Sequence, residues 1–302
     1  MNTMKKLNII VTGGAGFIGS TLVDKLVKIG HQVTVIDNES ATTNDRFYWN
    51  ENVKQAKFSI CDYENTRPLY DGVDYVFHVA AKARIQTSFN NPIDASMTNF
   101  VGTTTVLQCA REAGVKRVIY SSTSSAYGLV NEPPLKEDMP KDCLNPYSIS
   151  KTAGEEMCKF YTDNTSLETV TFRYFNVYGP REPLKGPYAP VVGIFMRQRR
   201  AGEDMTIVGD GEQRRDFTHV DDVVEANIRA MTADNVNGEI INVGTGINYS
   251  VNQIADFVGG PRVTIPPRPG EARITLANMN KFEKLLGFRP ETKLKEYIKN
   301  AI

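Results

Sequence analysis

Short apolar runs of period two alternate along the first half of the chain with amphipathic stretches near period 3.6, the spacings of strand and helix respectively. Leu7–Val11 is a β-rich run that ends in glycines, and Phe17–Ile29 then takes helical spacing. Gln32–Ile36, Lys57–Ile60, Val73–Ala80 and Arg117–Ser121 read as further strands, with a helix expected over about 94–113. Lys151–Thr162 reads as a long helix and Glu168–Phe172 as the strand after it. Such alternation calls for right-handed crossovers and a parallel sheet covered on both faces. The predicted class is α/β, a doubly wound parallel sheet.

The pattern changes near Gly179, where Pro180, Pro183, Gly186, Pro187 and Pro190 crowd one loop. From there to Gly211 the chain reads as part of a smaller lobe. Asp216–Met231 and Ile240–Val243 return to helix and strand and are expected to rejoin the first sheet. The proline-rich run Pro261–Pro269 and a last helix, Lys281–Leu286, read as lobe again. This gives one domain from residues 1–176 and 212–244, and a lobe from 177–211 and 245–302.

The turn after the first strand, Thr12-Gly13-Gly14-Ala15-Gly16-Phe17-Ile18-Gly19, carries Gly13, Gly16 and Gly19 between a predicted strand and a predicted helix. Gly13 permits the tight turn, Gly16 a close backbone approach to a pyrophosphate, and Gly19 close packing of helix on strand. The helix N-terminus then offers unpaired N–H groups to phosphate. Glycines alone also make ordinary turns. The next strand, however, ends at Asp37, where a carboxylate can bind two ribose hydroxyls and repel a 2′-phosphate. That pairing points to a Rossmann fold holding NAD, with nearby Arg46 keeping NADP open.

Composition narrows the classes. Lys plus Arg (35) balance Asp plus Glu (35), which argues against a nucleic-acid binder, since that function needs a basic excess. The four cysteines, Cys61, Cys109, Cys143 and Cys158, show no metal-ligand spacing, so no metal is expected. Apolar runs are too short for a signal peptide or a membrane span, and a soluble, cytoplasmic protein is expected.

Tyr147 and Lys151 are four residues apart, and on a helix they share a face. A phenol is a poor base at neutral pH unless a cation favours phenolate; Lys151 and a nicotinamide ring would both do so. Tyr147 could then take a hydroxyl proton while hydride leaves the same carbon. The hydroxyl-rich run Ser121–Ser125 follows the fifth strand directly, at the sheet edge where ligands bind in open parallel sheets. Its plainer reading is a polar loop. For Arg197, Arg199 and Arg200 the reading adopted is a solvated helix face.

TGGAGFIG, HVAAKA (His78–Ala83), SSTSSAYG, NPYSISK, RYFNVYGPRE (Arg173–Glu182), GDGEQRRDFTHVDD (Gly209–Asp222) and RPGEAR (Arg268–Arg273) follow in this order. Together they resemble the extended short-chain dehydrogenase/reductases, specifically the UDP-hexose 4-epimerases, from about Leu7 to Leu286. The resemblance implies a redox-neutral cycle: Tyr147 removes the sugar 4-OH proton, C4 gives hydride to NAD, and the 4-keto sugar turns over to take it back on its other face. It also implies that Thr123 bonds the reacting hydroxyl, that Lys151 holds the nicotinamide ribose, and that Asn99 lies near the cofactor. Gly13, Gly16, Phe17, Ile18, Asp37, Asn38, Ser59, Ile60, Ala80 and Ala81 are the other cofactor positions. Ser124, Asn176, Val191, Arg215, Arg268, Glu271 and Thr275 join Thr123 as substrate positions, with the arginines suited to bidentate phosphate contacts. A homodimer is implied as well.

Ser59-Ile60 replaces the Asp-Ile pair that relatives place near the adenine, and the chain ends soon after Tyr297. Related dehydratases follow the Thr with Asp-Glu, and decarboxylating relatives commonly keep the Glu. Here Ser124 and Ser125 stand instead, disfavouring both eliminations for want of a general acid. Thr275 sits where relatives restricted to plain hexoses carry a bulky aromatic, so UDP-GlcNAc and UDP-GalNAc join UDP-Glc and UDP-Gal as candidates. The alternatives are another nucleotide-sugar reductase or dehydratase, or a silent NAD-binding regulator.

Overall fold

A computed structural model of the protein describes residues 6–41, 44–184, 189–267 and 272–302. The amino-terminal half runs β1 (Asn8–Thr12), α1 (Phe17–Lys28), β2 (Gln32–Ile36), β3 (Lys54–Ala56), the short α2 (Tyr63–Thr66) and β4 (Tyr75–His78). Next come α3 (Ile85–Asn90), α4 (Pro92–Ser96), a π turn (Met97–Val101), α5 (Gly102–Glu112), β5 (Arg117–Thr123) and α6 (Pro146–Asn164). Then follow β6 (Glu168–Tyr174), β7 (Val177–Tyr178), α7 (Val191–Ala201), β8 (Met205–Val208), β9 (Arg214–Asp216), β10 (Thr218–His219) and α8 (Val220–Thr232). The chain closes with β11 (Ile240–Val243), β12 (Asn248–Ser250), α9 (Val251–Val258), β13 (Arg262–Ile265), α10 (Asn280–Leu286) and α11 (Leu294–Ala301).

Among the described residues, β3-β2-β1-β4-β5-β6-β11 form a seven-stranded sheet, parallel throughout. Its strands bury both faces. Ile9 and Val11 point to one side with Leu22, Phe77, Phe172 and Val223; Ile10 points to the other with Val76, Tyr120, Leu107 and Cys158. This is the period-two alternation that put apolar residues at every strand position. The strand order reverses direction between β1 and β4, opening a crevice at the carboxyl ends where a ligand can sit. A third cluster, with Val192, Phe195, Ile207, Phe217, Ile254 and Ile298, joins α7, α9 and α11 to β8.

Several expectations are corrected. The third strand is Lys54–Ala56, not Lys57–Ile60; residues 57–60 form the loop after it, and the buried Ile60 packs from that loop. The long helix begins at Pro146, five residues before Lys151, because Asn145 and Ser148 form a capping box and Pro146 occupies the first turn. Asp216 lies in β9, and the helix expected from it starts at Val220 behind the His219 cap. The helix at Asn280–Leu286 packs through Phe282 and Leu286 into the core of the large sheet, rather than on the lobe.

One buried network pins α6 to the sheet. Glu155 takes two hydrogen bonds from Arg173 (Nε 2.9 Å, Nη2 2.8 Å) and one from Ser122 (2.6 Å), with Lys141 3.1 Å away. Burial opposes ionisation of Glu155, but these partners hold its carboxyl below the usual range. Replacing only Arg173 would leave a buried carboxylate short of its main partner. We expect Arg173→Leu to cost about 3–5 kcal/mol in denaturant unfolding. The double variant Arg173→Leu/Glu155→Leu should recover much of that loss, and a single variant no less stable than wild type would show that the pair does not pin the helix.

Candidate active site

The glycine turn is built as its spacing demanded. Gly13 adopts φ +69°, and a Cβ there would meet the Ala80 backbone at 2.7 Å. A Cβ on Gly19 would stand 2.1 Å from the Gly13 carbonyl oxygen, so only glycine lets α1 start this close to β1. Gly16 differs, since its nearest protein neighbours would be 3.4 and 3.7 Å away. Packing does not require glycine at 16; its missing side chain leaves room in the cavity that it lines.

That cavity, about 720 Å³, runs along the carboxyl ends of the strands. At one end it is walled by Gly13, Gly16, Phe17, Ile18, Asp37 and Asn38, then by Ser59, Ile60, Ala80 and Ala81. At the other end are Thr123, Ser124, Tyr147, Asn176, Val191 and Arg215. Asp37 Oδ2 accepts the Ala15 N–H (3.1 Å) and Oδ1 that of Glu39 (2.8 Å), while burial raises its pKa. Ser59 Oγ accepts the Cys61 N–H at 3.2 Å.

Three expected positions fall elsewhere. Asn99 is fully buried outside the cavity wall: its Oδ1 accepts from Lys82 N (2.8 Å), and its Nδ2 donates to Lys82 O (3.2 Å) and Ser150 Oγ (3.0 Å). Its amide is spent bracing the loop after β4. Thr275 lines a separate pocket of about 190 Å³, shared with Ser124, Ser125, Asn176 and Arg215. Its buried Oγ1 has no hydrogen-bond partner among the described residues. Lys151 is buried behind the wall, with Nζ making no hydrogen bond among the described residues and lying 4.3 Å from the centre of the Tyr120 ring. Arg268 and Glu271 lie outside the described residues.

Tyr147 is held by α6 and by α3, whose Ser88 Oγ accepts the Tyr147 N–H at 3.1 Å. Burial pushes the phenol above its ordinary 10.0, while a hydrogen bond from Thr123 and the charge of Arg84 act the other way. Burial also lowers Lys151 to about 7, against the pull of Cys158 and Glu155. Arg84 is a second cation acting on the phenol, besides the Lys151 expected from spacing. Arg84, Gln86 and Lys82 line the cavity too, and the motif reading stopped one residue short of Arg84. His78 is held neutral by burial between Thr12 (2.7 Å) and Thr103 (2.8 Å). Thr103 gives its own proton to the Asn99 carbonyl, so His78 Nε2 is the protonated nitrogen.

A profile of the NAD dependent epimerase/dehydratase family matches residues 9–244. The chain belongs to this family. Among family members, a putative UDP-glucose 4-epimerase of Methanocaldococcus jannaschii is 36% identical, the alignment covering 97% of each chain. A UDP-N-acetyl-alpha-D-glucosaminuronate decarboxylase of Bacillus cytotoxicus is 41% identical over 84% of this chain and 80% of its own. The structure of a Thermotoga maritima UDP-glucose 4-epimerase with UDP-glucose superposes with a TM-score of 0.92 at 37% identity, covering 98% and 97%. In this chain the glycine turn and Tyr147 line one crevice, with Lys151 buried behind its wall.

The unpaired Lys151 ammonium has a measurable consequence. Below about pH 7 the folded protein carries a buried charge that the unfolded chain solvates, and the cost fades as pH rises toward 10.5. Lys151→Met should therefore raise the Tm of the cofactor-free protein at pH 6, with the gain disappearing near pH 10. An equal gain at both pH values would remove the electrostatic explanation.

Proposed function

We propose that this chain is an NAD-dependent UDP-sugar 4-epimerase that interconverts UDP-glucose with UDP-galactose and accepts the N-acetylated pair. The observation that carries this reading is the convergence of Thr123 and Tyr147 on one cavity with the glycine turn. The residues fit a dinucleotide on two counts. Gly16 leaves unfilled space, and the buried Lys151 Nζ lacks any partner that ribose hydroxyls could provide.

NAD, when bound, supplies reversible hydride storage for C4 of the sugar. Gly13, Gly16 and the start of α1 would hold its pyrophosphate, and Asp37 its adenosine ribose. Tyr147 would take the proton of the 4-hydroxyl once the charge of Arg84, the Thr123 hydrogen bond and the positive charge of a bound oxidised cofactor favour its phenolate, and Thr123 would hydrogen-bond the same substrate oxygen. Asn176 and Arg215 hold the diphosphate, with Arg268 and Glu271 as further substrate positions. The small pocket beside Ser124 and Thr275 supports a 2-acetamido group. The decarboxylase relative favours a second reading, uronate decarboxylation, against which stand the hydroxyls at Ser124 and Ser125.

Among the described residues no helix is long and apolar enough to cross a membrane, and we assign the protein to the cytoplasm. We assign it a homodimeric state as well. Phe89, Ile93, Met97, Phe100 and Phe160 are exposed apolar side chains on α3–α6, a concentration expected of an interface.

Incubation with UDP-glucose, UDP-GlcNAc and their C4 epimers, without added reductant, should yield the opposite epimer of each. Tyr147→Phe should abolish turnover yet retain bound cofactor. Net consumption of added NADH would sink the redox-neutral cycle, and inert UDP-GalNAc the N-acetyl claim. Phe100→Glu combined with Phe160→Glu should convert a dimer to a monomer in sedimentation; an unchanged species would remove these helices from the interface.

A further inference from the structure

Every residue of β5 is buried, and Tyr120 packs on the side of the sheet that α6 covers, in the cluster with Leu107 and Cys158. Its hydroxyl donates to the backbone carbonyl of Lys151 on α6 (3.0 Å). A Cβ on Gly154 would stand 2.3 Å from that hydroxyl oxygen, so a glycine in the helix is what admits the phenol against it. The Lys151 ammonium lies over the same ring, its Nζ 4.3 Å from the ring centre and making no hydrogen bond among the described residues. One aromatic residue thus meets the lysine twice, by its hydroxyl at the backbone and by its π face at the charge.

The face of an aromatic ring carries the negative part of its quadrupole and attracts a cation within about 6 Å, most strongly where water is excluded. Water is excluded here, since Tyr120 is 0% and Lys151 1% exposed. The other titratable groups around the ammonium do not replace this contact. His78 on β4 packs 5.5 Å from the Tyr120 ring and is held neutral between Thr12 and Thr103. On α6 itself, burial pushes the Cys158 thiol up to about 12, which keeps it uncharged. The Glu155 carboxylate is gripped by Arg173 and Ser122 and attracts Lys151 only through space. Tyr147, one turn earlier, has its phenol held protonated by burial. We propose that Tyr120 is a positioning residue for Lys151: its π face holds the ammonium in place beneath the cavity wall, where the ribose hydroxyls of the cofactor arrive. This rests on the nucleotide-sugar reading above for what the lysine then does, and on geometry alone for the contact.

The test starts from Tyr120→Phe, which keeps the face, and continues with phenylalanines fluorinated at one, two and three ring carbons, which drain the face at nearly constant shape. In the cofactor-free protein at pH 6 the Tm should fall stepwise with each fluorine. In a Lys151→Met background it should stay level, and at pH 10, where the ammonium has lost its proton, the steps should shrink toward zero. A series that is level at pH 6 overturns the proposal. So does an equal slope in Lys151→Met, which would make the effect one of packing. Should Lys151→Met fail to fold, equal slopes at pH 6 and pH 10 overturn it instead. In the NAD-loaded protein turning over a UDP-sugar, the alkaline limb of the kcat profile, where Lys151 loses its proton, should move to lower pH by about one unit with three fluorines. A limb that stays in place removes the positioning role. Absence of any C4 epimer from every variant and from wild type would sink epimerisation, while the cofactor-free series still judges the contact.

Discussion

The position of the reacting groups depends on one buried ion pair. Glu155 lies one turn beyond Lys151 and two beyond Tyr147 on α6, and its carboxylate is gripped by Arg173 on β6 and Ser122 on β5. Helix and strands are thereby fixed in rotation and in register at once. Apolar contacts such as those of Cys158 and Tyr161 with the sheet hold α6 down, but they are non-directional and would tolerate a small roll. A bidentate arginine–carboxylate contact does not, because its geometry is planar and specific. Tyr147 and Thr123, one on the helix and one at the end of β5, inherit that alignment.

Much of this was legible because its causes are local. The glycine turn, the strands Gln32–Ile36 and Ile240–Val243, and the Tyr–Lys spacing each follow from backbone sterics or side-chain period. The errors have local causes too. Phe58 and Ile60 alternate like strand residues because a loop at the sheet's carboxyl edge is buried by what surrounds it. Phe282 and Leu286 mark one apolar face of α10, but that spacing cannot say which surface the face meets. The lobe's strands are two to four residues long and pair across distant sequence, Arg262–Ile265 with Met205–Val208, so no window of the chain contains their pattern.

The cavity's electrostatics were the least readable part. Spacing put Lys151 beside Tyr147, but burial rather than proximity governs both, raising the phenol and lowering the ammonium. Glu182, from the resembling RYFNVYGPRE run, becomes a buried acid near the start of α7, where a Cβ on Gly193 would meet its carboxyl carbon at 3.0 Å. Arg84 acquires meaning only once Tyr147 and Glu182 are folded around it. Asn99 was unreadable for the complementary reason: its amide is engaged by Lys82 and Ser150, partners that only the fold brings to it.

These shifts share a sense. An ammonium with no hydrogen-bond acceptor among the described residues is unfavourable as it stands and would be relieved by hydroxyls arriving beside it, whereas the phenol, held neutral by burial, needs positive charge in the cavity before it can act as a base. Folding bears the desolvation in advance, through the core packing of α6 and the Glu155 clamp, so that a ligand meets groups already stripped of water and aimed. The same clamp that costs the protein a buried ion pair thus holds its reacting groups in a state that only an arriving ligand makes electrostatically complete.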